Sequence, residues 1–340
     1  MADLTKIKNE IKDLTDLEKY ELYKYLSKLV SEVEQKDPNE QDSATQMPCC
    51  PRCNGNIVVK DGFKRKKQRY CCKECGRTFV STTGTVMENS HYGIDIWKMV
   101  AEDTLNGNVP LDVTAKKAGF SHATAFNMRH KLLLALEARM QENKPILSGI
   151  SELDETYVLE CRKGKKFSED SVRKPRKHGA KALKRGISNE QICIMAGTER
   201  DGIAYATTLN RAHPDKNEIK AAFSEHLANG SVAFTDGLKG YSCLSEAVDC
   251  LIESVPVDQQ KQNGTANLNH VNGFHSMIQE RYRRYRGVAT KYLNRYNVLF
   301  FTVFRKANLF NRIINSIIFS NFHRKAFTVS DVTNYSLLSI

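Results

Sequence analysis

The stretches ELDETYVLE (residues 152–160) and SVAFTDG (231–237) decide how the larger part of this chain folds. Each is short and rich in β-branched or aromatic residues, which reads as a strand. Each also carries an aspartate: Asp154 lies inside its run, and Asp236 ends its run directly before Gly237. One carboxylate on a strand and another at a strand end can jointly hold divalent cations about 4 Å apart, the arrangement used for in-line attack on phosphodiesters. Taken singly, such aspartates are ordinary turn or cap residues. Around them QICIMAG (191–197), IAYATTL (203–209) and CLIESVPV (250–257) read as further strands. KNEIKAAFSEHLA (216–228) and a long run from about Val271 to Ile318 read as helices. A mixed α/β unit is therefore expected over residues 147–318, followed by a C-terminal tail, 319–340.

Upstream the chemistry changes. Six of the ten cysteines fall between Cys49 and Cys75, and among them Cys50-Pro-Arg-Cys53 and Cys72-Lys-Glu-Cys75 are two C-x-x-C pairs with 18 residues between them. Each pair places two thiolates on one side of a tetrahedral ion, so Cys50, Cys53, Cys72 and Cys75 are expected to hold a structural Zn²⁺. Cys49 and Cys71 break the spacing and are read as non-ligands. The intervening NGNIVVKDGFKRKKQRY has strand-like residues and an Asp-Gly turn, so residues 48–86 are expected to form a zinc ribbon. Lys64, Arg65, Lys66, Lys67 and Arg69 on that ribbon suit phosphate contacts; the plain alternative is a solvated charged face.

Residues 111–136, LDVTAKKAGFSHATAFNMRHKLLLAL, fit two helices about a tight turn at Gly119, with Ser121 capping the second. Asn127, Arg129 and Lys131 are expected on the polar side of that second helix, as in a recognition helix. Residues 91–143 thus read as a helix-turn-helix unit. Before the ribbon, 1–35 reads as an amphipathic helical segment and 36–47 as a polar linker.

The 340-residue chain carries 51 Lys+Arg against 39 Asp+Glu, a net charge of +12, which favours polyanionic partners. Its 41% hydrophobic content excludes wholesale disorder. No apolar run reaches the roughly 18 residues needed to span a bilayer. MADLTKIKNEIKDL lacks the apolar core of a secretory signal. A cytoplasmic protein without membrane contact is expected.

Several motifs, in order, resemble one family: CPRC (50–53), QRYCCKECGRTFVSTTGTV (68–86), SHATAFNMRHKLL (121–133), ELDETYV (152–158), FTDGLKGY (234–241) and NHVNGFHSMIQERYRRYRGVATKYLNRY (269–296). Together they resemble bacterial insertion-sequence transposases of the DDE type, with an N-terminal zinc ribbon and an RNase H-like catalytic domain. The resemblance implies that Asp154 and Asp236 are the first two acidic ligands of catalytic Mg²⁺ or Mn²⁺. It leaves the third open. The position three beyond the Asn of the His-x-Asn element is His275 rather than Glu, and Asn272 is the other candidate. Glu280 lies about 140° further around a helix and faces elsewhere. Glu155 alternates to the opposite strand face and is read as a non-ligand.

Basic clusters at RKGKK (162–166) and RKPRKHGAKALKR (173–185), including Arg173, Lys174, Arg176 and Lys177, extend the expected DNA surface. In ERYRRYR (280–286) the tyrosines could stack on bases or pack in the core. The implied activity is cleavage at terminal inverted repeats and strand transfer into target DNA, by at least a dimer on double-stranded DNA, at the bacterial nucleoid. A zinc-ribbon/helix-turn-helix regulator or decayed copy without catalysis is the alternative, and an RNA-processing nuclease a third.

Overall fold

The computed structural model describes residues 48–64, 66–105, 109–164, 182–200, 202–256, 266–304, 313–314, 317–318 and 327–333. The expected N-terminal helices (1–35) and linker (36–47) lie outside them.

The first unit is a three-stranded antiparallel sheet in the order β1 (Val58–Lys64), β2 (Lys67–Cys72), β3 (Thr78–Val80). The expected Asp-Gly turn falls elsewhere. Asp61 and Gly62 form a register shift inside β1, where Gly62 adopts φ 67°, and the chain reverses between Lys64 and Lys67. Gly62 supplies the left-handed backbone that such a bulge requires. The core of this unit is Cys50, Val58, Cys72 and Phe79, with Tyr70 stacked on Phe79. That is too little apolar surface to hold a fold by itself.

Three helices follow: α1 (Ile94–Leu105), α2 (Leu111–Ala118) and α3 (His122–Glu142). The turn forms as the sequence predicts. Gly119 takes φ 70°, and the Ser121 side chain accepts the Thr124 N–H. Asp103, buried on α1, accepts from Thr114 Oγ1 and Lys117 Nζ at 2.7 Å each, which fixes α2 against α1.

The remaining unit is a five-stranded mixed sheet. In chain order its strands are β4 (Ile150–Leu159), β5 (Gln191–Glu199), β6 (Ala204–Arg211), β7 (Val232–Thr235) and β8 (Leu251–Ser254). In space they run β6-β5-β4-β7-β8, with β5 antiparallel to its neighbours and β4, β7 and β8 mutually parallel. All five strands expected from the sequence are present. One face packs on α4 (Lys216–Phe223) and α5 (Cys243–Ala247). Gly197 is required there, since a Cβ would lie 2.7–3.0 Å from Leu147, Leu153 and Phe223. The other face packs on α6 (Asn269–Arg284) and α7 (Leu293–Val303).

The long helix expected from Val271 onward is interrupted: up to Phe304 it is the two helices α6 and α7. Arg286 at φ 50° and Gly287 at φ 98° break it, and a 3₁₀ turn over Thr290–Tyr292 restarts it.

The three-helix unit shares a core with the sheet unit: Trp97, Met128, Leu132 and Leu136 belong to the same apolar cluster as Phe274, Tyr292, Tyr296 and Phe300. The join has a polar centre. Arg295 of α7, fully buried, donates to His130 Nδ1 of α3 at 3.2 Å, and to the carbonyls of Val332 and Asp331 at 3.0 and 2.9 Å. Those carbonyls belong to α8 (Val329–Thr333). Of the segment read as a C-terminal tail, Phe327 and Val332 are therefore core residues. Burial and the nearby Arg295 push the His130 imidazole down to about 3, so it accepts as a neutral ring.

Candidate active site

β4 pairs with β5 along nine residues but with β7 along only four, ending at Leu153↔Thr235. Past that point β4 continues with no strand paired on its β7 side among the described residues, which opens a notch at the C-terminal ends of the parallel strands. Ligand sites of open α/β sheets lie in crevices of this kind. Asp236 is the first residue beyond β7, and its Oδ1 accepts the Leu238 N–H at 3.1 Å across a turn through Gly237 at φ 96°.

Asp154, Asp236 and Glu155 each bring a carboxylate oxygen to the notch, all within 4.8 Å of one another. The sequence reading sets Glu155 aside as a non-ligand, yet the structure brings its carboxylate into the same group. The alternation is right: Glu155 leaves β4 on the α5 side, where the buried Tyr241 hydroxyl donates to its Oε2 at 3.0 Å. With β7 stopped at Thr235, both faces of β4 open into the same notch, and the side chains reach it from either side. Oxygens on one octahedral Mg²⁺ lie about 3–4 Å apart, so this cluster has the dimensions of a cation site. Burial raises the Asp154 carboxyl to about 7, with the Glu155 and Asp236 charges adding to it. Glu155 is raised by burial and by Asp236. Carboxylates that crowd one another in this way gain from a divalent cation between them.

The opposite face of β4 carries Glu152, Asp154 and Thr156, and each meets α6. Glu152 contacts His270 at 2.8 Å, Asp154 Oδ2 lies 3.6 Å from His275 Nδ1, and Thr156 Oγ1 accepts from Gln279 at 2.9 Å. His275 is buried, and burial pushes its imidazole down to about 4. Its Nε2 is buried without a hydrogen-bond partner. Asn272 lies one turn earlier on the exposed side of α6. Glu280, also exposed, pairs with Arg284 at 2.6 Å. Glu152 and Tyr241 are not among the site residues expected from the sequence. The i, i+2 spacing of Glu152, Asp154 and Thr156 on one strand face is a signal that could have found the first.

In the ribbon, Cys50 and Cys75 Sγ atoms lie 3.7 Å apart and those of Cys53 and Cys72 3.6 Å. Four thiolates at about 2.3 Å around one ion are about 3.8 Å from each other. The two C-x-x-C turns are built alike. Asn54 N donates to Cys50 O and Gly76 N to Cys72 O, both at 2.9 Å, and both donors have positive φ, 58° and 69°. Cys49 is exposed, and Cys71 turns its thiol toward the Cys72 carbonyl.

Of the expected DNA-contacting residues, Lys64, Lys66 and Lys67 are exposed on the ribbon, while Arg69 pairs with Asp61 at 3.0 Å. Arg65, Arg173, Lys174, Arg176 and Lys177 lie outside the described residues. Arg129 is corrected: only 1% exposed, it donates to the Val109 carbonyl at 2.9 Å and lies over the Tyr285 ring. The helix that carries it is buried on nearly every side from Met128 to Leu136, between α1 and α7, so a polar side chain there turns inward. Asn127 and Lys131 are half-buried; α3 is freely exposed at its two ends, His122 and Ala123 in the first turn and Gln141 and Glu142 in the last. The tyrosines of ERYRRYR pack inside: the Tyr282 hydroxyl donates to Asn297 and the Leu293 carbonyl, and Tyr285 lies against Tyr296.

Residues 146–301 match the family described as ISXO2-like transposase domain. A protein of Halobacterium salinarum, "Uncharacterized protein in transposable element ISH50", is 27% identical over 250 residues, 73% of this chain and 82% of that protein. That relative is archaeal, so the similarity is not confined to bacterial elements. Among solved structures, the Mos1 strand transfer complex overlaps 61% of this chain and 70% of its own, at 12% identity and a TM-score of 0.31. The mariner Mos1 paired end complex with Mg overlaps 64% and 75%, at 12% identity and a TM-score of 0.26. Overlaps at those scores do not define a shared fold. No helix among the described residues is long and apolar enough to cross a membrane.

Proposed function

We propose that this protein is a DDE-type transposase that cuts and joins DNA ends at the notch beside β4. The observation that carries the reading is the convergence of Asp154, Glu155 and Asp236 within 4.8 Å, inside the segment that matches a transposase domain. The strand order, with β5 alone antiparallel, supports an RNase H-like catalytic domain.

Asp154 and Asp236 are the two principal metal ligands, and Glu155 is the third carboxylate, oriented by Tyr241. His275 and Asn272 remain the neutral candidates from α6, and His275, 3.6 Å from Asp154, stands nearer to the chemistry. Mg²⁺ or Mn²⁺ bound there supplies the Lewis acidity that activates a water or a 3′-hydroxyl and stabilises the departing oxygen. The chain's own part is to hold carboxylates without reorganisation and to shield them: Leu153 and Phe234 are buried behind the notch. In the first step water attacks a phosphodiester and frees a 3′-hydroxyl. In the second, that hydroxyl oxygen attacks a target phosphorus and displaces a target 3′-oxygen. Both steps are transesterification or hydrolysis at phosphorus and need no protein–DNA bond.

The four ribbon cysteines hold a structural Zn²⁺, since the small apolar core demands one. Lys64, Lys66 and Lys67, the α3 first turn, and the basic insertion that includes Arg173, Lys174, Arg176 and Lys177 meet phosphates of the terminal repeats and the target. Joining two ends requires at least two copies on the DNA.

The test is strand transfer by the purified protein on labelled terminal-repeat DNA from its own element, with Mg²⁺ or Mn²⁺. Asp236→Ala is expected to lower joined product by about a thousandfold or more while DNA affinity stays within twofold. Specific binding by the native protein with no nicking in either metal would put the decayed or regulatory reading first.

A further inference from the structure

Glu152 is fully buried on β4, two residues before Asp154 and on the same strand face. A carboxylate placed there needs several donors to offset its lost hydration. It has them at one place, the start of α6. Oε2 accepts the backbone N–H of His270 at 2.7 Å and of Val271 at 3.1 Å, and Oε1 faces His270 Nδ1 at 2.8 Å. Arg200 Nε stands 3.6 Å away on the far side.

α6 has no cap of its own, because Leu268 at its N-cap offers no side-chain acceptor. Its first-turn donors are nonetheless complete. Asn269 N donates to Asn267 Oδ1, His270 and Val271 N donate to Glu152, and Asn272 N donates to the Leu268 carbonyl. Strand β4 therefore caps helix α6 from outside the helix.

The spacing makes this cap a register device. Two residues of strand advance about 6.6 Å. His270 to His275 advances about 7.5 Å along a helix, and His275 to Gln279 about 6 Å. The contacts Glu152–His270, Asp154–His275 and Thr156–Gln279 are thus three rungs in matching order, with α6 lying alongside β4. Of these, only the Glu152 rung grips the helix backbone and so sets its axial position. Gln279 also donates to the Tyr157 carbonyl, but from the helix side chain to the strand.

We propose that Glu152 is a positioning residue, which fixes α6 along β4 so that His275 and Asn272 stand at the correct height beside Asp154. The inference rests on the reading of Asp154 as a metal ligand. In Glu152→Gln the negative charge that draws the His270 and Val271 N–H groups is lost, and an amide NH₂ takes the place of the oxygen facing His270 Nδ1. The helix keeps its apolar contacts with the sheet, and the anchor of its first turn is weakened. Glu152→Asp keeps the acceptors and withdraws them by one methylene.

The test measures Mn²⁺ affinity of the full chain by electron paramagnetic resonance, counting free aqueous Mn²⁺, with near-ultraviolet circular dichroism to check the fold. Glu152→Gln is expected to weaken Mn²⁺ binding by about tenfold and Glu152→Asp by less, the range found when the partner of a metal ligand is altered. Gln279→Ala, which removes a rung without touching the helix backbone, is expected to lower the melting temperature and leave Mn²⁺ affinity unchanged. Native-like Mn²⁺ binding in a folded Glu152→Gln protein overturns the proposal. So does an equal loss in Gln279→Ala, which would reduce the effect to general looseness of the helix. If neither Glu152 variant folds, the residue serves the fold alone and the proposal also fails. Asp154→Ala in the same titration separates the two layers: if it leaves Mn²⁺ binding intact, the reading of the metal site has failed rather than the role of Glu152.

Discussion

The ribbon and the mixed sheet each gather a cluster of side chains that could hold a metal ion, and they do so by opposite routes. In the ribbon four thiols come from two short turns only four residues long, and the core around them is Cys50, Val58, Cys72 and Phe79. Here the proposed ligands are also the core, and on the zinc reading the fold follows the metal. In the sheet three carboxylates come from a strand interior and the end of its parallel neighbour, and they are placed by apolar layers on both faces. There the metal follows the fold. Local spacing suffices to write the first kind of site, whereas the second depends on where a neighbouring strand stops.

The widest gap between the two regions is expected on removing one ligand from each. Cys72→Ser is expected to abolish folding of the ribbon, at a cost on the order of 10 kcal/mol of metal-linked stability. The same protein is expected to retain the sheet and helices. Limited proteolysis with mass spectrometry should show cleavage confined to residues before about 90. Loss of the sheet in the same variant would erase the distinction.

A second prediction concerns the join between the helical unit and the sheet, where no metal is involved. His130 is held neutral, its folded value near 3 against 6.5 for a free imidazole. Between those values the unfolded chain binds a proton that the folded chain refuses, so stability falls as pH drops through that window. The loss is expected to reach about 5 kcal/mol at most. His130→Gln, which retains an acceptor for Arg295, should flatten that slope in denaturant titrations between pH 6.5 and 4. An unchanged slope would place the acid sensitivity elsewhere.

Glu155→Gln is the smaller counterpart of the cysteine change. It removes one charge from a preformed notch, so the fold should hold and its melting temperature should rise or stay level, because like charges are thinned. Half-saturating Mn²⁺ for DNA cleavage is expected to increase by about tenfold. Smallest of all, Lys66→Ala combined with Lys67→Ala should weaken DNA binding by a few-fold and lower the salt dependence of the binding constant by about two counterions' worth. A loss that is independent of salt would point to folding rather than phosphate contact.

What could be read in the sequence follows the same division. The two C-x-x-C turns, the Gly119–Ser121 turn of the helical hairpin and the five strands depend on neighbours in the chain, and the residues name them directly. Asp154 and Asp236 were visible as carboxylates in strand runs. The alternation that sets Glu155 apart is real, but pairing of β4 with β7 ends at Leu153↔Thr235, so its carboxylate reaches the same notch, and no local pattern encodes that length. Arg129 was misjudged for a related reason. A polar residue on an amphipathic helix is expected outside, but α3 has a second partner, α7, that covers the side where Arg129 lies. The break at Arg286–Gly287 was hidden in a run of helix-favouring residues, where only the glycine hints at it. Glu152 could have been noticed as a charge in an otherwise apolar strand start, but its partner lies 118 residues further on.

The shared core of α1 and α3 with α6 and α7 has one further consequence. The first turn of α3 and the notch at Asp154 belong to units that share one core, joined through Arg295 and His130. Units joined in this way act as a ruler. On the proposed function, along any duplex that touches both ends, the distance from the DNA met by α3 to the bond reached by the carboxylates is a constant of the protein. A ruler of fixed length makes its mark in one place, so a second mark calls for a second ruler, laid from the opposite end.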